Sequence, residues 1–205
     1  MANYLLCILI GYFIGSFPSA YLFVKLKDQR DIRDEGSGKV GTMNALQVTK
    51  SKTVGIGVLV VDVLKGILPI LFVNNFIGGE FWLSASAGIA SIIGHDFPVW
   101  LKFKGGRGLA TTAGIMLIFG WIFVAIWLFW FAIAYIVFKN LHLGNIVATV
   151  LSPIFILIIP ENILETLLPR FTDVHNFLYL GIIISSLILI RHLDSIKELV
   201  TIKQS

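Results

Sequence analysis

The chain has 205 residues, of which 57% are hydrophobic and 14% charged, and its net charge is +4 at pH 7. With a mean hydropathy of +0.88, it is more apolar than soluble domains, in which about 45–50% of residues are apolar. The composition therefore indicates a membrane protein, and basic residues at loop ends fit membrane orientation and anionic lipid, so nucleic acid is not an expected partner. The single cysteine, Cys7, excludes an intramolecular disulfide and a cysteine metal cluster, and no metal or cofactor is predicted.

Six apolar blocks of unequal length follow one another along the chain, and we interpret them as membrane-crossing segments. They lie at residues 4–24, 54–73, 81–93, 109–138, 144–159 and 177–190. The first block has no basic segment before it and no small-residue cleavage site after it, so we expect a retained helix rather than a removed signal peptide. Gly11 and Gly15 within it form Gly-x-x-x-Gly, a pattern typical of close helix packing.

Basic residues predict the orientation of these blocks. The loop at 25–52 carries seven Lys and Arg residues and the turn at 74–80 carries none, which predicts a cytoplasmic loop and an external N-terminus. The segment at 94–108 then also lies in the cytoplasm, and we expect the two to face each other.

The C-terminal tail carries Arg191, Lys197 and Lys203, which favours a cytoplasmic C-terminus. This requires block 109–138 to cross twice, with a turn near Gly120. We therefore predict an all-α integral membrane protein in which residues 1–205 form a single domain, a bundle of seven transmembrane helices. One tilted helix over block 109–138 is the alternative.

The first loop contains a glycine-rich stretch at 36–44, Gly-Ser-Gly-Lys-Val-Gly-Thr-Met-Asn. Although it matches G-x-G-x-x-G, no strand precedes it, so a dinucleotide site is not indicated. Glycines let an anion approach backbone N–H groups, and Ser37 and Asn44 add neutral hydrogen-bonding groups. A flexible connecting loop is the alternative interpretation.

The segment at 94–108 reads Gly-His-Asp-Phe-Pro-Val-Trp-Leu-Lys-Phe-Lys-Gly-Gly-Arg-Gly. It places His95, Lys104 and Arg107 beside three glycines, so it offers cations and unobstructed N–H groups together. This pattern predicts a phosphate-binding segment.

Asp62 and Lys65 lie inside the second apolar block, three residues apart and so on one helix face. Ionisable groups at this depth usually face the bundle interior or a wet cavity. Two interpretations stay open: an internal pair that fixes helix packing, or a direct contact with substrate.

These motifs together resemble one family, the bacterial membrane acyltransferases of the PlsY type. The resemblance runs from residue 11 to 199 and is carried by Gly-Ser-Phe-Pro at 15–18, the stretch at 36–44, Asp-Val-Leu-Lys-Gly at 62–66, the segment at 94–108, and Arg191-His192. It implies transfer of a fatty acyl group from acyl phosphate to the 1-hydroxyl of sn-glycerol 3-phosphate, which yields lysophosphatidic acid and phosphate. It also implies seven spans in the bacterial inner membrane, with the active site facing the cytoplasm, among membrane lipid. Protein partners are left open.

The resemblance implies that Lys104 and Arg107, with the N–H groups of Gly105 and Gly106, neutralise substrate phosphate. It implies that Ser37 and Asn44 shape the acceptor pocket and that His95 and His192 contact phosphate or hydroxyl groups. A purely structural role is the alternative for either histidine. The remaining candidate substrate-binding residues are Gly38, Lys39, Gly41, Asp62, Lys65, Gly108 and His192. The sequence departs from the family pattern at Lys39, Thr42, Met43, Gln47 and Ser195. Gln47 stands where an arginine is frequent, and Lys39 is a candidate replacement for that arginine.

No general base is evident. Many glycerolipid acyltransferases use His-x-x-x-x-Asp, and none of the four histidines has an aspartate five positions later; the nearest acid to His95 is Asp96. The leaving phosphate of an acyl phosphate can accept the hydroxyl proton, so we expect substrate-assisted transfer without an acyl-enzyme. A transporter of a phosphorylated metabolite and a non-enzymatic lipid-binding scaffold remain as alternative functions.

Overall fold

The computed structural model describes the backbone of residues 1–202 and the side chains of residues 1–193. Every regular element in the described backbone is a helix, as the sequence predicts. The chain forms two compact units, Met1–Ile115 and Met116–Ser205, and the single domain stays a prediction. The side chains of Ser195 and Lys197, and all of Lys203, lie outside the described residues.

The first unit contains five helices and the start of a sixth. They are α1 (Ala2–Gly15), α2 (Ser19–Asp28), α3 (Thr42–Thr49), α4 (Lys52–Phe76), α5 (Phe81–Asp96) and α6 (Leu109–Phe119), with single 3₁₀ turns at Ile32–Asp34 and Val99–Leu101. The second unit contains α7 (Trp121–Phe138), α8 (Leu141–Leu157), α9 (Glu161–Leu167) and α10 (Val174–Ile202).

Two apolar blocks are interrupted at a proline or a glycine. The first block breaks between Gly15 and Ser19, because Pro18 lacks an N–H donor and disfavours helical geometry at the preceding residue. Block 109–138 ends one helix at Phe119 and begins the next at Trp121. The predicted break at Gly120 is therefore present, and a Cβ atom there would overlap the Phe177 ring.

The count of seven spans stays a prediction. Within the described residues, four helical segments are long and apolar enough to cross a membrane: Ala2–Asp28, Lys52–Phe76, Trp121–Phe138 and Val174–Leu193. The pair Leu141–Leu157 and Glu161–Leu167, bent by 113°, raises the number to five if it forms one span. Helices α5 and α6 have 16 and 11 residues, fewer than the roughly 20 that an apolar core about 30 Å thick requires.

Close backbone contacts join α1 and α5. A Cβ atom at Gly11 would overlap the Ala87 carbonyl, and one at Gly15 would overlap the Ser91 carbonyl. From the other side, a Cβ atom at Gly94 would overlap the Tyr12 carbonyl. The Gly-x-x-x-Gly pattern thus serves helix packing, as predicted, because only glycine lets two backbones approach this closely.

We expect Gly11→Val to destabilise the first unit by about 1–3 kcal/mol, since the new side chain forces α1 away from α5. Thermal unfolding in detergent measures the effect. Gly79→Val is the matched control, because a Cβ atom at Gly79 meets no atom within 4 Å. Equal melting temperatures for the two variants would contradict the close packing.

Candidate active site

The two polar segments that the sequence singles out lie against each other. The Val40 N–H donates a hydrogen bond to the Gly105 carbonyl at 3.2 Å. A Cβ atom at Gly106 would overlap Nε2 of His95 and come within 2.8 Å of the Val40 carbonyl oxygen. The predicted convergence of residues 36–44 and 94–108 is confirmed, and we call this contact the loop junction.

Asn44 organises the first of these segments. Its side chain is 4% exposed, and its amide Nδ2 donates to the carbonyls of Ile32 (3.2 Å), Glu35 (3.1 Å) and Lys39 (3.0 Å). Its Oδ1 accepts the Ser37 N–H at 3.0 Å. Both ends of the amide are therefore engaged by loop backbone, so Asn44 holds the first loop in its fold.

The glycines at positions 36, 38 and 41 occur there for different structural reasons. Gly36 and Gly38 have φ angles of +55° and +66°, a left-handed conformation that glycine adopts without strain. Gly41 has extended backbone, and a Cβ atom there would meet no atom within 4 Å. The fold therefore does not require glycine at position 41, and the missing side chain leaves open space beside the loop. Ser37, in the same stretch, is exposed.

Two arginines of the first loop are bound to neighbouring carboxylates. Arg33 donates two hydrogen bonds to Asp31, from Nη2 to Oδ2 at 2.6 Å and from Nε to Oδ1 at 3.0 Å. This hydrogen bonding lowers the pKa of Asp31 below its usual value. Arg30 donates to Asp28 at 2.8 Å and to the Val48 carbonyl at 2.7 Å. These two cations thus hold the loop together.

The second segment is a compact turn whose backbone is internally bonded. The Phe103 N–H donates to the Pro98 carbonyl at 3.0 Å, and the Gly106 N–H donates to the His95 carbonyl at 3.1 Å. The Gly106 N–H therefore closes the turn in this structure, and its role in binding phosphate stays a prediction. Lys104 is exposed and Arg107 is half-buried, just before α6.

Aromatic side chains tie this turn to the first helix. Nε1 of Trp100 donates to Oγ of Ser16 at 2.9 Å, at the break that follows α1. The Tyr12 hydroxyl donates to the Phe97 carbonyl at 2.9 Å. The turn therefore holds a fixed position on the α1 and α5 pair.

A buried polar cluster lies below the loop junction and consists of Ser19, Asp62, Lys65 and His95. Oδ1 of Asp62 accepts hydrogen bonds from Ser19 Oγ at 2.6 Å and from Lys65 Nζ at 2.7 Å. Lys65 Nζ also donates to Ser19 Oγ at 2.8 Å, and Nδ1 of His95 is 3.7 Å from Asp62 Oδ1. Of the two interpretations of Asp62 and Lys65, this geometry supports the internal pair.

Sequence reasoning missed one member of this cluster and one contact within it. It gave Ser19 no role, and it considered only Asp96, not Asp62, as the acid near His95. The signal that could have found them is the cost of a charge inside an apolar block, which demands polar partners on neighbouring helices. Which neighbour supplies them depends on helix packing.

The remaining candidates lie at the edges of this arrangement or in the second unit. Gly108 has a φ angle of +72° and precedes α6, and Lys39 is half-buried in the first loop. His192 belongs to the second unit, where it is 1% exposed and its Nδ1 is 2.8 Å from the Ile188 carbonyl oxygen. A role for His192 in substrate binding stays a prediction.

Comparison with known proteins identifies the family. The glycerol-3-phosphate acyltransferase family matches residues 5–202. The chain belongs to this family. A glycerol-3-phosphate acyltransferase of Pelagibacter ubique is 38% identical over 165 residues, covering 78% of this chain and 81% of that protein. The Bartonella henselae protein of the same name is 34% identical, covering 98% of this chain and 90% of its own length.

A solved structure agrees with the family. The crystal structure of PlsY, an integral membrane glycerol 3-phosphate acyltransferase, in its glycerol 3-phosphate form has a TM-score of 0.79 to this chain. It is 29% identical and covers 97% of this chain and 92% of its own. A second PlsY structure, in the lysophosphatidic acid form, has a TM-score of 0.72. The chain is a PlsY-type integral membrane acyltransferase.

We expect Asn44→Ala to open the first loop, because four hydrogen bonds to its backbone are lost and each contributes about 0.5–1.5 kcal/mol. Limited trypsin digestion in detergent measures this as faster cleavage after Lys39. Gln47→Ala is the control, since Gln47 is an exposed residue of the same helix. Equal cleavage rates for the two variants would show that Asn44 does not hold the loop.

Proposed function

We propose that this chain transfers a fatty acyl group from acyl phosphate to the 1-hydroxyl of sn-glycerol 3-phosphate, giving lysophosphatidic acid and inorganic phosphate. The observation that carries the proposal is the loop junction, where the Val40 to Gly105 hydrogen bond brings the open space at Gly41 close to the segment that holds Lys104 and Arg107. The two PlsY structures support it, because their glycerol 3-phosphate and lysophosphatidic acid are the acceptor and product of such a transfer.

Charge recognition falls to the second segment. Lys104 and Arg107 neutralise phosphate on one or both substrates, and Arg107 supplies the planar fork that fits phosphate oxygens in pairs. Gly105 and Gly108 keep the backbone around them free of side chains. Gly105 also accepts the Val40 hydrogen bond, so these cations keep a fixed distance to the first loop.

Acceptor recognition falls to the first loop. Ser37, Gly38 and Gly41 line the pocket that Asn44 shapes, and Lys39 adds a cation from the same loop. The space beside Gly41 suits a small molecule with hydroxyl groups and one phosphate. His95 contacts the acceptor from the loop junction, and His192 is assigned to phosphate or hydroxyl contact by family resemblance alone.

The chemical step is substrate-assisted. The acceptor oxygen attacks the acyl carbon, the bond from that carbon to the phosphate oxygen breaks, and the hydroxyl proton passes to the departing phosphate. No acyl-enzyme forms. The protein contributes orientation of two bound substrates, which can lower the barrier by about 7–11 kcal/mol. A well-placed donor to the developing oxyanion adds about 3–4 kcal/mol.

Removing the cations tests the proposal directly. With purified protein, palmitoyl phosphate and glycerol 3-phosphate, we expect one phosphate released per lysophosphatidic acid formed. Lys104→Ala and Arg107→Ala should each lower kcat/KM about 100-fold, a loss of about 2.7 kcal/mol of transition-state stabilisation. Lys102→Ala is the matched control, since Lys102 is exposed and precedes the glycine run, and it should retain turnover within about twofold.

Two outcomes oppose the proposal. Wild-type turnover in the Lys104→Ala, Arg107→Ala double variant would remove the cations from the mechanism. Uptake of glycerol 3-phosphate into liposomes without any product would favour a transporter instead.

We also propose that the chain crosses the bacterial inner membrane seven times, with the N-terminus outside and the loop junction and C-terminus in the cytoplasm. The seven basic residues at 25–52 support this orientation. The helix break at Gly120 is compatible with two crossings by block 109–138.

Cysteine labelling tests this orientation. In a Cys7→Ala background, which is cysteine-free, we expect Gln47→Cys to react with a membrane-impermeant maleimide only in inverted vesicles. Gly79→Cys, at an exposed turn on the other side of α4, should react only in right-side-out vesicles, because α4 separates the two positions. Labelling of both positions from the same side would overturn the proposed orientation.

A further inference from the structure

The buried polar cluster joins three helices within the first unit. Ser19 on α2 and Asp62 on α4 are each 1% exposed, Lys65 on α4 is 4% exposed, and His95 on α5 is 7% exposed. Ionisable side chains so deep in an apolar bundle are costly unless they satisfy one another, and they tend to serve function. The cluster therefore needs an explanation beyond hydrophobic packing.

Three members of the cluster form a closed set of hydrogen bonds. Ser19 donates to Asp62, Lys65 donates to Asp62, and Lys65 also donates to Ser19, at 2.6, 2.7 and 2.8 Å. The carboxylate is thus held by donors from two helices, and its charge is balanced by the ammonium group. Asp62 Oδ1 is consequently a fixed negative atom at a defined place below the loop junction.

The fourth member connects this fixed atom to the loop junction. The two ring nitrogens of His95 have different neighbours: Nδ1 lies 3.7 Å from Asp62 Oδ1, and Nε2 lies against Gly106, so close that a Cβ atom there would overlap it. A distance of 3.7 Å exceeds a hydrogen bond, so the carboxylate acts on the ring by electrostatic attraction. The His95 carbonyl is held separately, by the Gly106 N–H at 3.1 Å.

We propose that Asp62, Lys65 and Ser19 are positioning residues for acyl transfer, which act through His95. The carboxylate favours the tautomer with the proton on Nδ1, so that the lone pair of Nε2 faces the loop junction and accepts a hydrogen bond from an acceptor hydroxyl group. This rests on the proposed function. The proposed role differs from a direct substrate contact by Asp62 and Lys65. It also gives His95 a partner carboxylate, although the sequence has no His-x-x-x-x-Asp motif to supply one.

A purely structural role is the competing explanation, since the same three groups also cross-link α2 and α4. Apolar side chains of similar volume can replace a buried ion pair with little loss of stability or with a gain. Removing only one partner is destabilising, because it leaves a buried charge without its counter-charge. Stability and His95 positioning can therefore be separated by removing both charges together.

The experiment compares Asp62→Asn, Lys65→Met and the double variant, each with His95 intact and with His95→Gln. We expect the single variants to unfold at lower temperature and the double variant to recover toward the wild-type melting temperature. Its kcat should nevertheless stay at least about tenfold below wild type. In the His95→Gln background the same double change should lower kcat no further, because the residue it acts through is gone.

Recovery of both melting temperature and kcat in the double variant would overturn the proposal. So would a further fall in kcat when the double change is added to His95→Gln, by the same factor as with His95 intact. Ser19→Ala leaves the ion pair in place and keeps the test decisive if the charge variants fail to fold. It should lower kcat about threefold or more with His95 present and have no effect in His95→Gln.

A readout that does not depend on turnover separates this proposal from the proposed function. In protein labelled with ¹⁵N-histidine, and assigned by the signal missing from His95→Gln, we expect His95 to carry its proton on Nδ1. The Asp62→Asn, Lys65→Met double variant, or Ser19→Ala if that double variant does not fold, should shift the ring toward a mixture of tautomers. An unchanged spectrum would overturn the positioning role, whereas a wild-type protein that lacks turnover would overturn the proposed function alone.

Discussion

The hydrogen bond from the Val40 N–H to the Gly105 carbonyl is the contact on which the geometry of the candidate active site depends. It joins two segments that are far apart in the sequence, one rich in glycine and the other carrying Lys104 and Arg107. Each of the two segments is also shaped by contacts of its own. Asn44 gathers the first loop around its amide, and the Gly106 N–H closes the second segment onto His95.

Helix packing determines where that junction lies. Gly11 and Gly15 let the backbone of α1 approach α5, and Gly94 continues the same contact to the last turn of α5. The next residue is His95, so the contact that fixes α5 also fixes the height of the imidazole. Packing by small residues in an apolar bundle thereby constrains the geometry of the candidate site.

Local pattern was sufficient for the helical blocks, the break at Gly120, the close packing at Gly11 and the meeting of the two polar segments. It failed where the outcome depends on distances between helices. Ser19 and Asp62 are 43 residues apart, and no periodicity indicates that α2 and α4 place them together. The hydrogen bond of the Gly106 N–H was missed for a related reason, since glycine predicts an accessible backbone but not which carbonyl folds back onto it.

Three carboxylates of the first unit are already paired with cations. Asp31 is held by Arg33, and Asp28 by Arg30, while Asp62 is held by Lys65 inside the bundle. These carboxylates are therefore less able to compete with phosphate for Lys104 at the loop junction. Asp28, Asp31 and Asp62 thus each have a cation of their own. Under the proposed function, Lys104 then attracts substrate phosphate rather than these three acids.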